Sequence, residues 1–594
     1  MYAQLAKGNT QSIVVPGYNI LIPCRSKIVF GAVLTHHKGD KTFKGVVGDK
    51  DFRKYALANS PIVLNNLLLA LETYPDREAA GLLADGFQFG FSLNYSGPRQ
   101  RYEAKNLKSV DSNMEIVRQK ISKELEAGRI GGPYDEPPFT NFRVSPLGLV
   151  PKKEEGEFRL IHHLSYPSGD SVNDHIDPKL CSVQYTSFDK AIEMVQKLGP
   201  GALLAKADIK SAFRLLPVSP SDFELLGFKF EGKYYFDKCL PFGCSISCAL
   251  FEKFATFLEY LVRQLVTAGH LEHYLDDYLG GGTANNNECK AIIEAFHSQC
   301  NILGVPLAKD KCLGPVTQLV FLGLELDSVM MQVRVPMDKV NDICAMIKEV
   351  LRHARMQLRT LQSLIGSLNF MCRAISPGRP FCRRLINATC GLNQPHHFLR
   401  INKGMREDLQ MWLKFFQSFN GISVFHDRFW RSNADFTLYT DSAGSQGLGF
   451  GIFFQGKWAC AAWPDSWFVK NIASDITVLE LFPILVAITL WGAILVNRKV
   501  LFHCDNQAVV AIINTQTSKS NNVMILLRSL ILKCLQFNIV LKAEHIPGSE
   551  NALTDALSRF QIGKFRRLAP NADTEPTHIP QCLFNVFNKQ PSNY

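Results

Sequence analysis

Two adjacent carboxylates, Asp276 and Asp277, stand in Tyr274-Leu275-Asp276-Asp277 at the tip of an apolar hairpin. His273-Tyr274-Leu275 reads as strand before the turn and Tyr278-Leu279 as strand after it, followed by the breaker run Gly280-Gly281-Gly282. Carboxylates this close repel each other, so a fold that keeps them ordinarily supplies a divalent cation. Upstream, an apolar strand from Leu203 to Ala207 ends on Asp208, and an aromatic, Phe213, follows shortly after. Between the two blocks, Leu240-Pro241-Phe242-Gly243-Cys244-Ser245 makes a tight turn that feeds a helix-patterned run to about Leu261. Three carboxylates on neighbouring strand ends can hold two Mg²⁺ ions and support in-line phosphoryl or nucleotidyl transfer. An isolated Asp-Asp pair is equally an ordinary exposed turn, so the surrounding blocks carry the weight.

A separate set of acids occupies the second half. Thr440-Asp441-Ser442-Ala443-Gly444 follows the strand-like Phe436 to Tyr439 and precedes a hairpin pattern from Gly447 to Phe454. Glu480 lies in an apolar helix-patterned run from Ile476 to Val496, and Asp505 ends the strand Val500 to Cys504. Asp555 lies in Asn551-Ala552-Leu553-Thr554-Asp555-Ala556-Leu557, preceded by the loop His545-Ile546-Pro547-Gly548. Any one of these acids by itself is an unremarkable surface group; their order and spacing are not.

The first set, in its order, resembles a reverse transcriptase. Val150-Pro151-Lys152-Lys153, an acidic-Gly turn and Phe158-Arg159-Leu160-Ile161 resemble the fingers hairpin that grips the triphosphate. Leu307 to Cys312 resembles the lysine-bearing segment near the leaving pyrophosphate, and Phe321-Leu322-Gly323 the hairpin holding the primer end. The resemblance implies that Asp208 and Asp276 bind two metals, with Asp277 completing or tuning the site. It implies that Lys153 and Arg159 neutralise the triphosphate and that Lys311 (or Lys309) protonates the leaving group. Phe213 takes the ribose-gate position, where a ring against C2′ favours dNTPs, and Phe242 packs on the nucleotide. The second set resembles ribonuclease H, in which Asp441, Glu480, Asp505 and Asp555 cage two metals and His545 assists proton transfer or product departure. Mg²⁺ is the implied ion at both sites, two per site, with Mn²⁺ as a substitute. RNA template, DNA primer, RNA·DNA hybrid and dNTPs are the implied partners.

Phe242 departs from the Gln that many retroviral enzymes carry after Leu-Pro. With Ile161-His162-His163-Leu164-Ser165-Tyr166-Pro167, Ile375-Ser376-Pro377-Gly378-Arg379 and Ile546-Pro547-Gly548, this form resembles DIRS-like retrotransposons, which insert by a tyrosine recombinase. A recombinase and a structural protein of the same element are therefore expected partners. Two alternatives stay open at this level. One is a host-retained relic that binds RNA·DNA hybrids without turnover. The other is a DNA-templated repair polymerase, for which an attached hybrid nuclease has no use.

Composition agrees with a nucleic-acid enzyme. Lys and Arg exceed Asp and Glu by 65 − 54 = 11, and the pI is about 8.8, a basic balance suited to a polyanion. Sixteen cysteines are scattered without a CxxC pair, which reads as reduced thiols in an intracellular protein of the cytoplasm or nucleus. No signal-peptide pattern opens the chain, and the apolar run Ile484 to Val496 is short for a membrane span, so no membrane role is expected.

At 594 residues the chain should divide into roughly three to five units. The expected class is multidomain α+β and α/β: a right-hand polymerase of fingers, palm and thumb, then a ribonuclease H-like domain. Residues 1–110 have no assigned role. Residues 111–330 would be fingers and palm, and 331–433 a helical thumb or connection rich in arginine (Arg352, Arg355, Arg359, Arg373, Arg379, Arg383, Arg384) for gripping the duplex backbone. The nuclease would span 434–562, leaving 563–594 as a Pro- and Asn-rich tail with a disordered composition. Ser112 and Glu115 form a capping-box pattern ahead of a helix that Gly128 should stop.

Overall fold

The computed structural model describes residues 54–152, 156–418, 420, 438–496 and 498–587, plus three antiparallel strands at Thr10–Val15, Tyr18–Pro23 and Val33–His36. The chain is multidomain and mixed α/β, with two compact units: residues 1–194 with 202–316, and residues 195–201 with 317–594.

The first unit is assembled around one apolar cluster that takes residues from Ile62 to Val305. Helices α1 (Leu64–Leu71), α2 (Arg77–Phe89) and α3 (Met114–Glu126) precede the hairpin β1 (Leu147–Pro151) and β2 (Phe158–His162). The central sheet follows from β3 (Leu203–Asp208), helix α4 (Ser247–Leu265), the hairpin β4 (His270–Tyr274) and β5 (Asp277–Gly282), helix α5 (Glu288–Leu303) and β6 (Leu313–Val316). Its strand order is β4-β5-β3-β6, all neighbours antiparallel. A separate five-stranded sheet runs Tyr102–Glu103, Arg143–Val144, Gly227–Phe230, Lys233–Asp237, Ile130–Tyr134.

Three features differ from expectation. Gly280, Gly281 and Gly282 continue β5 instead of breaking it. The reason is steric: a Cβ on Gly282 would come 2.4 Å from the Cys289 nitrogen of α5, and one on Gly280 would come 3.1 Å from Ile292. The glycines let the helix lie close to the strand. The capping box does not form. Asn113 is the residue before α3, and the Ser112 hydroxyl donates back to the Lys108 carbonyl at 3.1 Å, closing the short turn that precedes the helix. Gly128 does stop α3, at φ +67°, and its amide donates to Leu125 at 2.9 Å. Finally, residues from Ile62 to Leu93 share the core of the central sheet, so that part of the 1–110 stretch is not separate from the sheet that follows it.

The second unit begins with β7 (Gln318–Phe321), β8 (Leu324–Asp327) and β9 (Gln332–Arg334), then helices α6 (Met337–Arg352), α7 (Leu358–Met371) and α8 (Lys403–Ser418). Its larger sheet comprises β10 (Leu438–Ser442), β11 (Gly449–Phe454), β12 (Lys457–Ala462), β13 (Lys499–Cys504) and β14 (Val540–His545). The order is β12-β11-β10-β13-β14, antiparallel among the first three and parallel across β10-β13-β14. Helix α9 (Ile476–Trp491) is apolar on every face because every face is covered, by the sheet and by α10 (Asn521–Gln536). By length and composition alone it could span a membrane, yet most of it is buried within this unit.

Arg528 of α10 reaches Asp408 of α8 at 3.4 Å and the Pro380 carbonyl at 3.2 Å, and Arg384 joins Asp408 at 3.2 Å. These buried charges tie the helical segment to the sheet, which is why the anticipated thumb and nuclease form one unit. The tail is ordered well beyond residue 563, contrary to its composition. The Trp458 indole donates to Asp573 O at 2.7 Å and the Trp467 indole to Phe584 O at 3.3 Å, while Phe584 and Val586 enter the core. Buried aromatics outweigh the local polar composition there.

Candidate active sites

Register decides the first site. Asp277 of β5 is the direct cross-strand partner of Asp208 on β3, and the Ile209 amide donates to the Asp276 carbonyl at 3.1 Å. The two-residue turn puts Leu275 at φ +54°, a left-handed conformation that costs a side-chain-bearing residue on the order of 1 kcal/mol. Packing of Leu275 against the core offsets that cost. Behind the turn, the His273 imidazole contacts Glu259 (2.5 Å) and Glu252 (3.2 Å), both on α4, and the Tyr278 hydroxyl donates to the Ala255 carbonyl at 2.9 Å. Burial alone would lower the pKa of His273, but its two carboxylate partners raise it to about 9, so it is cationic at neutral pH.

Two lysines face the aspartates. Lys311 Nζ lies 3.1 and 3.3 Å from the Asp208 carboxylate oxygens, and Lys206 Nζ lies 3.0 Å from Asp277 Oδ1. Of the two candidate lysines, the structure therefore brings Lys311 to the acids. Lys206 was legible as well: two positions before Asp208 on a strand, it shares that residue's face. Burial, followed by repulsion from Asp208 and Asp277, pushes Asp276 up to about 6. Burial likewise raises Asp208 despite Lys311. Three hard oxygen donors held against their own repulsion fit a Mg²⁺ site.

The aromatic candidates converge. Phe213 and Phe242 lie 5.2 Å apart between ring centroids, Phe251 packs on Phe213 at 5.8 Å, and the Arg159 guanidinium covers Phe242 at 5.0 Å. Gly243, at φ +117°, holds the turn against β2; a Cβ there would fall 2.0 Å from the His162 carbonyl. Asn173 locks it further, donating to the Gly243 carbonyl (2.8 Å) and accepting from the Ser245 amide (2.9 Å). Sequence reasoning passed over Asn173, whose role exists only through a long-range turn. Lys153 lies outside the described residues. Phe321, Leu322 and Gly323 form a tight β7-β8 turn, with Leu322 at φ +45° and Gly323 at φ +80°. Phe321 is fully buried, the Lys339 ammonium donates to Gly323 O at 3.0 Å, and this turn belongs to the second unit, whereas Asp208, Asp276 and Asp277 belong to the first.

The second site also gathers its acids from separate elements. Asp441 is on β10, Glu480 on α9, Asp505 just after β13, and Asp555 on α11 (Ala552–Ser558). Ligand atoms of Glu480, Cys504 and Asp505 all lie within 4.8 Å of one another. Glu480 Oε2 and Asp505 Oδ1 are buried and have no hydrogen-bond partner among the described residues. Burial, then the charges of Asp441 and Asp505, push Glu480 up to about 9. Burial pushes Asp441 up to about 6 although the Ser558 hydroxyl donates to it at 2.5 Å. Orphaned carboxylate oxygens under this repulsion fit a bound divalent cation.

Asp555 differs, because Arg559 (2.7 Å) and Lys564 (3.4 Å) outweigh its burial and hold it below the usual range. His545 is exposed at the end of β14, and its Nε2 lies 3.1 Å from the Asp505 carbonyl. One further contact fixes the register of two acids. Pro483 has no N–H to give the Leu479 carbonyl four residues earlier, and the Ser442 hydroxyl donates to it instead at 2.9 Å. Ser442 and Leu479 are the chain neighbours of Asp441 and Glu480, so this bond ties the two carboxylates together.

Residues 150–326 match the family described as "Reverse transcriptase (RNA-dependent DNA polymerase)". Among curated relatives, protein P of duck hepatitis B virus (strain China) is 25% identical over 168 residues, 28% of this chain and 20% of its own. The transposon Tf2-7 polyprotein of Schizosaccharomyces pombe (strain 972 / ATCC 24843) is 22% identical over 236 residues, 40% of this chain and 16% of its own. The chain thus spans at most a fifth of these relatives' length. A solved foamy viral protease-reverse transcriptase in complex with double-stranded DNA covers 91% of this chain and 94% of its own, at 14% identity and a TM-score of 0.46. Residues 150–326 form a reverse transcriptase domain of the kind found in retroelement and viral polyproteins.

Proposed function

We propose that this protein is the RNA-directed DNA polymerase of a retrotransposon and that its second unit degrades the RNA strand of RNA·DNA hybrids. The observation that carries the first part is the cross-strand pairing of Asp208 with Asp277 beside Asp276, faced by Lys311. Asp208, Asp276 and Asp277 would hold two Mg²⁺ ions, with Mn²⁺ as a substitute. When bound, the ions would activate the attacking primer hydroxyl and stabilise the leaving side. Arg159, stacked on Phe242, meets the triphosphate, and Lys311 is poised to protonate the leaving pyrophosphate. Phe213, braced by Phe242 and Phe251, presses on the sugar and selects dNTPs over rNTPs.

Support for the nuclease comes from four acids gathered around a mixed sheet, two of them with buried oxygens that lack a hydrogen-bond partner among the described residues. Asp441, Glu480, Asp505 and Asp555 would hold its Mg²⁺ ions, and His545 at the exposed rim assists proton transfer or product departure. Exposed Arg355, Arg359, Arg373 and Arg379 suit contact with a phosphate backbone. The Leu-Pro-Phe-Gly-Cys-Ser and Ile-Pro-Gly motifs support a DIRS-like lineage, with a tyrosine recombinase and a structural protein of the same element as partners. Sequencing the flanks of the genomic copy for a recombinase frame tests that lineage. The protein works in the cytoplasm or nucleus, which a fluorescent fusion checks.

Primer extension on an end-labelled RNA template, with Mg²⁺ and dNTPs, tests the enzyme reading. The expected result is DNA synthesis together with template shortening in the parent, and loss of synthesis alone in Asp276→Ala/Asp277→Ala. Absence of both in the parent over a range of metals and primers overturns it in favour of a hybrid-binding relic.

A further inference from the structure

The nuclease centre contains a group that a Mg²⁺ enzyme has no use for. Cys504 is fully buried immediately before Asp505, and its Sγ belongs to the same cluster of ligand atoms as Glu480 and Asp505, all within 4.8 Å of one another. The only polar contacts of the sulfur among the described residues are with the Asn506 backbone, at 3.4 Å from N and 3.9 Å from O. Independently, Glu480, which places a carboxylate oxygen in that cluster, is 5% exposed, and its Oε2 has no hydrogen-bond partner among the described residues. Mg²⁺ prefers hard oxygen and has little affinity for sulfur, whereas Zn²⁺ and Cd²⁺ take Cys together with carboxylates.

We propose that Glu480, Cys504 and Asp505 form a thiophilic cation site at which Zn²⁺ or Cd²⁺ binds through the Cys504 sulfur and arrests hybrid cleavage. On binding, the S–H bond breaks, a sulfur–metal bond forms, and the proton passes to buffer; no oxidant or reductant is needed. Asp505, half-buried at the mouth, is the entry ligand, and Glu480 and Cys504 close the site from within. A cation held this way draws Glu480 and Asp505 away from the geometry that Mg²⁺ requires. Among the described residues of the first unit, the side chains facing its aspartates are lysines, with no such cysteine-carboxylate cluster. Binding does not depend on the nuclease reading; only its consequence, arrest, rests on it.

The test uses the full chain, with Cd²⁺ as the spectroscopic probe and Zn²⁺ as the inhibitor. Ultraviolet difference spectra during Cd²⁺ titration should show a saturable sulfur-to-cadmium band in the parent that Cys504→Ala lacks. Glu480→Gln, which keeps the thiol, should weaken the band's apparent affinity by at least about tenfold. In parallel, the Zn²⁺ concentration that halves Mg²⁺-supported hybrid cleavage should rise at least about tenfold in Cys504→Ala, each protein scored against its own zinc-free rate. Circular dichroism melting confirms that both variants fold. Identical difference spectra for the parent and Cys504→Ala overturn the proposal. A Cys504-dependent band in a protein that cleaves no hybrid upholds the site and instead removes the nuclease reading. Zinc inhibition of equal strength in the parent and Cys504→Ala upholds the nuclease reading and overturns arrest through this site.

Discussion

The two acidic sites solve one electrostatic problem in opposite ways. In the first unit the protein supplies its own counter-charges: Lys311 bonds Asp208 and Lys206 pairs with Asp277, and Asp276 rises only to about 6. In the second, the salt bridges to these acids among the described residues are those of Arg559 and Lys564 with Asp555, and Glu480 is left with a pKa of about 9. On the proposed function, the resident lysines of the first site would be displaced or shared when cations and a triphosphate arrive, whereas the second site would take its counter-charge from a bound ion.

The sharpest way to break this comparison is to disable each site separately. Asp276→Ala/Asp277→Ala should lower DNA synthesis on the order of 10³-fold or more and spare hybrid cleavage, while Asp505→Asn should do the reverse. Rates on one gel, with a fluorescent hybrid as control, decide it; loss of both activities from either variant would mean that the sites are not independent. Next in size, Lys311→Met should cut the single-turnover incorporation rate by about 10²-fold, with a smaller change in nucleotide affinity, because the proton donor for the leaving group is gone. An unchanged rate with weakened affinity would reassign Lys311 to charge compensation alone.

Two stability measurements sharpen the contrast. Glu480 holds its proton more tightly in the folded chain, at about 9, than at its ordinary 4.5. In EDTA its contribution therefore falls as pH rises from 4.5 to 9, by at most about 6 kcal/mol, and Glu480→Gln should remove most of that fall. Hydrogen exchange of β10 and β13 across this pH range, with and without Mg²⁺, reads the effect. Saturating Mg²⁺ at about 100 times its Kd should add about 2.7 kcal/mol of protection there.

His273 titrates in the first unit by the same rule. Its pKa rises from 6.5 to about 9, so its stabilisation is complete below 6.5 and lost as pH climbs through 9. His273→Gln should remove about 2 kcal/mol at pH 6 and progressively less toward pH 10, as chemical denaturation would show. The smallest effect belongs to Ser442→Ala. Releasing the Leu479 carbonyl should slow cleavage by about 10-fold with little change in hybrid affinity, and Ser442→Thr, which restores the hydroxyl, should recover most of the rate.

Both sets of acids and their order were legible in the sequence, as were Phe213, Phe242 and Arg159 singly, but the packing of those three against one another was not. Strands announce themselves by apolar runs that stop on a charged residue, and metal chemistry narrows the residue types allowed at those stops. Lys206 could have been read from strand alternation and Ser558 from its place one turn after Asp555. Other features had no local signal. The composition of residues 563–587 is that of a loose tail, and only distant partners, Trp458 and Trp467, reveal it as packed. The glycine run at 280–282 reads as a break until α5 is seen to require the space.

What the sequence determined by itself is which groups could do chemistry, since side-chain type and strand or helix period are properties of the chain. Tertiary structure decided which groups meet and in what charge state. Cross-strand register set Asp208 opposite Asp277, and burial left Glu480 without a cation while giving Asp208 a lysine. Desolvation and Coulomb energy depend on neighbours brought together over hundreds of residues, and no local pattern encodes that sum.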